Sequence, residues 1–172
     1  MRIKIIIFLL LGTFVAKAQV DLNTAREMYF SMDKDQCNSL KLSNLFDEQP
    51  PKDPLLNAYY GASTAASPAC VSNPARKIAN FRKGKQLLDN AAQNSPYNLE
   101  IRFLRFATQS KAPAFLGYNT HLNEDKKFIL THLPAFRNIK GNEQTAKRIA
   151  AFMLDSEQLT ANEKAGLKTL SN

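Results

Sequence analysis

The chain has 172 residues, of which 44% are hydrophobic and 22% charged, and its formal net charge is +8. These values exclude a disordered or low-complexity protein and leave room for one domain that buries its own core without a metal. A basic excess of this size does not define a nucleic-acid partner, because it is also what keeps an ordinary domain in solution.

The first eighteen residues are a different object from the rest. Arg2 and Lys4 open them, an apolar run follows from Ile5 to Val15, and Ala16-Lys17-Ala18 supplies a small-x-small ending. This is the pattern of a secretory signal peptide over residues 1–18, cleaved near Ala18/Gln19. Its apolar run of about eleven residues is too short for a bilayer, which needs about twenty, and no later segment comes closer. The mature chain, 19–172, is therefore expected to be a single helical domain with no transmembrane segment, periplasmic or extracellular. The first cysteine, Cys37, lies well beyond the apolar run, which argues against a lipid anchor. Loss of Arg2, Lys4 and Lys17 lowers the formal charge from +8 to +5, enough for weak contact with anionic surfaces.

Export changes how the two cysteines read. Cys37 and Cys70 are the only pair, and an oxidising compartment favours a disulfide between them over two separately buried thiols.

In chain order, apolar residues from Leu22 to Phe46 recur at three- and four-residue steps, which predicts one or two helices interrupted near Asp33-Lys34-Asp35. Gln49 to Pro54 is a proline-marked loop, and Asp53 caps a helix from Leu55 to Ala66 that is rich in small residues. Ser72-Asn73-Pro74 opens the next helix, with Gly84 marking a tight helix crossing, and Asn94-Ser95-Pro96 closes it. Leu99 to Ser110 is the most apolar helix and is expected at the centre, ending at Lys111-Ala112-Pro113. After a turn at Gly117-Tyr118-Asn119, a helix follows through Leu122, Ile129 and Leu133, and Pro134 is expected to kink or stop it. Asn142 caps the next, and Thr160 to Glu163 reads as a capping box for a last short one. No run alternates with the period of a strand.

The expected fold is all-α: antiparallel helix pairs in a repeat-like array or bundle. The segment from Ala58 to Pro96 resembles a degenerate tetratricopeptide unit, without a clean thirty-four-residue internal repeat. Four motifs, Ala58-Tyr59-Tyr60-Gly61-Ala62, Phe81-Arg82-Lys83-Gly84-Lys85, Asn98 to Phe106 (N-x-E-I-R-F-L-R-F) and Phe115 to Asn119 (F-L-G-Y-N), span most of the mature chain. In these the chain resembles an uncharacterised family of exported bacterial helical proteins. The resemblance implies export and helices, and carries no activity with it.

Catalytic signatures are missing: there is no G-x-S-x-G, H-E-x-x-H or C-x-x-C, and no glycine-rich phosphate loop, so neither an enzyme nor a cofactor is expected. Scattered carboxylates such as Glu100 and Asp125 remain the only route to acid-base chemistry in a helical core. No metal site is expected, since His121 and His132 stand three helical turns apart, about 16 Å. Asp33 to Asn38 starts like a calcium loop, but Asn38 and Asn44 stand where glycine and a bidentate glutamate belong.

Two basic features remain. Arg76, Lys77, Arg82, Lys83 and Lys85 occupy the first half of their helix, where cations oppose the macrodipole; pairing with Asp89 or a neighbouring helix competes with an anionic partner as their explanation. Asn98, Arg102, Arg105 and Gln109 fall on one helix face, and two guanidiniums a turn apart can grip a carboxylate or phosphate, with Tyr118 and Asn119 completing a pocket. The alternative is an ion-pair network with Glu100 or Asp89 that locks helices together. Of Tyr59 and Tyr60, one ring is expected inside and the other at a polar partner or solvent. The leading functional expectation is a non-catalytic module binding another envelope protein or peptide, ahead of a small-molecule or anion-binding protein that uses Arg102 and Arg105.

Overall fold

In the computed structural model, which describes residues 20–47 and 49–170, the breaks fall where proline and short polar side chains put them. The signal segment and its cleavage site at Ala18/Gln19 lie outside the described residues. Eight α-helices and no strand occur among the described residues: α1 Leu22–Phe30, α2 Asn38–Leu45, α3 Pro54–Ala66, α4 Pro74–Asn94, α5 Leu99–Lys111, α6 Leu122–Arg137, α7 Glu143–Asp155 and α8 Ala161–Leu167. Short 3-10 turns at Ser31–Asp33, Ser67–Cys70 and Ala114–Leu116 join them.

The starts have local causes. Asp53, Asn73 and Asn98 each accept a hydrogen bond from the backbone N–H three residues on, at 2.8, 3.1 and 3.2 Å. This satisfies donors that the first helical turn leaves unpaired. Thr160 and Glu163 bond reciprocally as a capping box. Gly117, at φ +61, turns the chain between the last 3-10 segment and α6.

Two local expectations need correction. Pro134 does not stop α6, which runs on to Arg137. Its ring is exposed, Leu133 beside it is wholly buried, and Arg137 donates to the Thr169 carbonyl, so tertiary contacts hold the last turn despite the missing N–H. Asn142 sits at the start of α7 without a side-chain capping bond; its Oδ1 lies 3.5 Å from Arg26 Nη2 instead. Tyr59 and Tyr60 are both buried, and of the two it is Tyr59 whose hydroxyl reaches a polar partner, Glu100.

Helices α3 and α4 pack antiparallel. On α3 and α4, Ser67 meets Asn80 and Gly61 lies against Leu87 and Leu88, the pairing of opposed directions. Gly61 and Gly84 face each other at this crossing, and a Cβ at Gly84 would sit 2.4 Å from Ala65 N and Gly61 O. Cys37, just before α2, and Cys70, at the end of the turn after α3, form a disulfide with Cα atoms 5.4 Å apart. It fastens the α1–α2 arm to the far end of α3.

One apolar core runs from Ala25 and Leu42 through α3, α4, α5, α6 and α7 to Leu167. Helix α5 is its axis, with Ile101, Phe103, Leu104 and Phe106 all inaccessible. Phe103 takes ring contacts from α1 and α7, at 6.4 Å to Tyr29 and 5.4 Å to Phe152. Among the described residues no helix is long and apolar enough to cross a membrane.

Candidate functional site

The axis helix also carries charge. Arg102 and Arg105 are 7% and 4% exposed, and both point at the first turn of α6. Arg105 donates from Nε and Nη2 to the two carboxylate oxygens of Asp125, at 2.7 and 2.9 Å. Arg102 donates from Nη2 to Glu124 at 2.5 Å, and its Nε lies 2.7 Å from Asp125 Oδ1 but off the direction of a hydrogen bond. The guanidinium also stacks over Phe128, 5.0 Å from the ring centre.

The same arrangement completes the start of α6. Gln109 accepts the backbone N–H of His121 at 3.0 Å, serving as a cap supplied by another helix, and its buried Nε2 has no hydrogen-bond partner. Glu124 and Asp125 place negative charge at the positive end of the α6 macrodipole. The Arg102 hydrogen bond, then that of His121, holds the Glu124 carboxyl below its ordinary value. Burial pushes the Asp125 carboxyl up while Arg105 and Arg102 pull against it.

An open cleft of about 230 Å³ lies between α4 and this α5–α6 pair, lined by Asp89, Gln93, Arg102, Arg105, His121 and Glu124. Against its two guanidiniums stand the two carboxylates of Glu124 and Asp125, so the arginine charge is matched from within the fold. A second polar cleft, of about 440 Å³, opens between the end of α5 at Ser110 and Lys111 and the end of α7 at Asp155 to Gln158.

The residues expected to form one pocket are split. Arg102, Arg105 and Gln109 are brought together against α6, whereas Asn98 caps α5. Tyr118 turns to α4, where its hydroxyl donates to Asp89 at 2.9 Å and its ring meets Phe81 edge-on at 5.9 Å. Burial, followed by the charge of Asp89, raises its phenol. Asn119 is exposed. The ion-pair network is present, but its carboxylates are Asp125 and Glu124, twenty or more residues away, not Glu100 or Asp89.

Glu100 belongs to a separate buried network. It accepts from Arg26 through both oxygens and from the Tyr59 hydroxyl at 2.8 Å, which ties α1, α3 and α5 together. Glu100 and Asp125 are thus each neutralised by arginine in different places, and the fold does not assemble them into an acid-base pair. Asp35 is engaged by the Cys37 N–H and Lys41, and no group of three His, Cys, Asp or Glu able to hold a metal occurs among the described residues.

No sequence pattern singles out Gln93, Glu124 or Arg26 for these sites. The acids of the α6 first turn were detectable as residues favoured at a helix start; nothing local marked them as partners of α5.

Fold and site together define an all-helical, disulfide-fastened array with a polar cleft of matched charge between helix pairs. No family model, no curated protein and no solved structure matches the chain.

Proposed function

We propose that the protein is an exported, non-catalytic module that binds another envelope protein or peptide. The observation that carries this reading is the open cleft between α4 and the α5–α6 pair, polar and lined by side chains of both signs. Its donors and acceptors suit the mixed polarity of a polypeptide, while its internally matched charge gives a free anion little to gain. The disulfide supports an oxidising compartment, and with it a signal function for residues 1–18 and membership in the exported helical family that the four motifs resemble.

A photo-crosslinking residue in place of Gln93, which lines the cleft, tests the reading in intact cells. One at Ala151, exposed on α7, serves as the reference. A defined adduct from position 93 and none from 151 is expected. Equal adducts from both, or none from 93 at any growth stage, would remove the cleft from consideration. Recovery of the uncut chain in the cytosol would overturn the export part independently.

The runner-up, a small-molecule or anion-binding protein, has in its favour that Arg102 and Arg105 do line the cleft. A thermal-shift screen of carboxylates, phosphates and sugar acids decides it, since a ligand binding only the folded state raises its melting temperature.

A further inference from the structure

The cations of α4 are left unexplained by the cleft. From Val71 to Leu88 the chain carries Arg76, Lys77, Arg82, Lys83 and Lys85 and no acid. Asp89, the nearest carboxylate on the helix, is taken by the Tyr118 hydroxyl. Lys83 and Lys85 lay their ammonium groups over the Tyr60 and Tyr118 rings, at 5.0 and 5.1 Å, whereas Arg76, Lys77 and Arg82 are exposed and enter no ion pair among the described residues. Arg76 and Lys77 lie in the first turn of α4, where the macrodipole disfavours positive charge, and no ion pair among the described residues accounts for them or for Arg82.

Two apolar side chains accompany them. Ile78, 47% exposed, shares a face of α4 with Arg82 and Lys85 at spacings of four and three. Phe115, 85% exposed, lies in the Ala114–Leu116 turn. That turn is held to the same helix, because Leu116 packs on the cluster of Phe81 and Tyr118. Neither of the two clefts includes Ile78, Arg82 or Phe115.

We propose that the exposed first half of α4, with the Phe115 turn, docks the protein reversibly on an anionic phospholipid surface. Long unpaired cations fit a diffuse layer of phosphate headgroups that offers no fixed geometry, and two projecting apolar side chains fit insertion at the headgroup–acyl boundary. An acidic polypeptide supplies the same charge, but the two projecting apolar side chains fit a layer that has an acyl boundary beneath its phosphates better than a purely acidic chain. The inference rests on the export reading and is independent of the cleft.

The test is co-sedimentation of the purified secreted protein with vesicles of phosphatidylcholine alone or in equal parts with phosphatidylglycerol. Binding to the mixed vesicles only, weakening steeply as salt shortens the screening length, is expected. Lys77→Glu with Arg82→Glu should lower the partition at least about tenfold. Both side chains are exposed and enter no ion pair among the described residues, so the changes leave the fold intact, which an unchanged denaturation midpoint verifies. Phe115→Ser should reduce binding several-fold while keeping the salt dependence. Equal binding to both vesicle types, or binding unaffected by the double charge reversal, overturns the proposal. Tight binding of poly-glutamate where the mixed vesicles fail to retain the protein overturns it in favour of an acidic polypeptide. Crosslinking at Gln93 reads the cleft separately, so failure of either proposal leaves the other standing.

Discussion

Arg105 and Asp125 meet through two parallel hydrogen bonds, Nε to Oδ2 and Nη2 to Oδ1, and both residues are removed from solvent. The pair joins the axis helix to the first turn of α6, and with Arg102 and Glu124 it forms a charge cluster that is neutral as a whole.

Breaking this cluster from one side should be costly. Asp125→Asn leaves two buried guanidiniums without their shared countercharge and should destabilise the protein by about 3–5 kcal/mol. Combining it with Arg105→Met should cost less than the sum of the single changes, because the second change removes an orphaned charge. Urea denaturation of the four members of the cycle measures the difference, and strict additivity would contradict the pairing.

Gly84 and Gly166 should respond oppositely to the same substitution. A Cβ at Gly84 meets backbone atoms at 2.4 Å, so Gly84→Ala must part α3 from α4, at about 1–3 kcal/mol that outweighs the propensity gain of about 1 kcal/mol. A Cβ at Gly166 meets nothing within 4 Å, so Gly166→Ala in α8 should be neutral or stabilise by a fraction of 1 kcal/mol. Two denaturation midpoints moving in the same direction would refute the close crossing.

Reducing the Cys37–Cys70 bond frees a loop with a sequence separation of 33 residues. In the chain-entropy treatment the loss is about 3–4 kcal/mol. Denaturation with and without a thiol reductant reads it directly, and the Cys37→Ser with Cys70→Ser variant should behave like the reduced protein and ignore the reductant.

Alkaline pH should unfold the protein through its phenols. Burial raises Tyr29, Tyr59 and Tyr118 above their ordinary value, with the neighbouring carboxylates Glu100 and Asp89 adding to the shift at Tyr59 and Tyr118. The unfolded chain then ionises first, so this contribution is complete below about pH 10 and is lost as pH rises from there towards the folded values. The denaturation midpoint should fall between about pH 8 and about pH 11. Phenolate absorbance should show these three groups titrating only after unfolding.

Much of the fold was legible because helix punctuation is local. Asp53, Asn73 and Asn98 reach N–H groups three residues away whatever the rest of the chain does, and prolines at 50, 51, 74, 96 and 113 stand at breaks for covalent reasons. The burial of α5 followed from its apolar residues, and the close approach at Gly84 from a glycine inside a helix. That Pro134 does not stop α6 has the converse reason: its cost is local, but the contacts of Leu133 and Arg137 that outweigh it come from other helices.

The amino-acid order by itself determined where most helices start and end, which faces are apolar, and that α4 concentrates positive charge, since each depends on neighbours within a turn or two. Only the tertiary structure decided what Arg102 and Arg105 do. Helical spacing aligned them, but whether they face a ligand or a carboxylate depended on which helix packs opposite and in what register. That choice is made by side-chain packing across the whole core, and it set Asp125 against both guanidiniums.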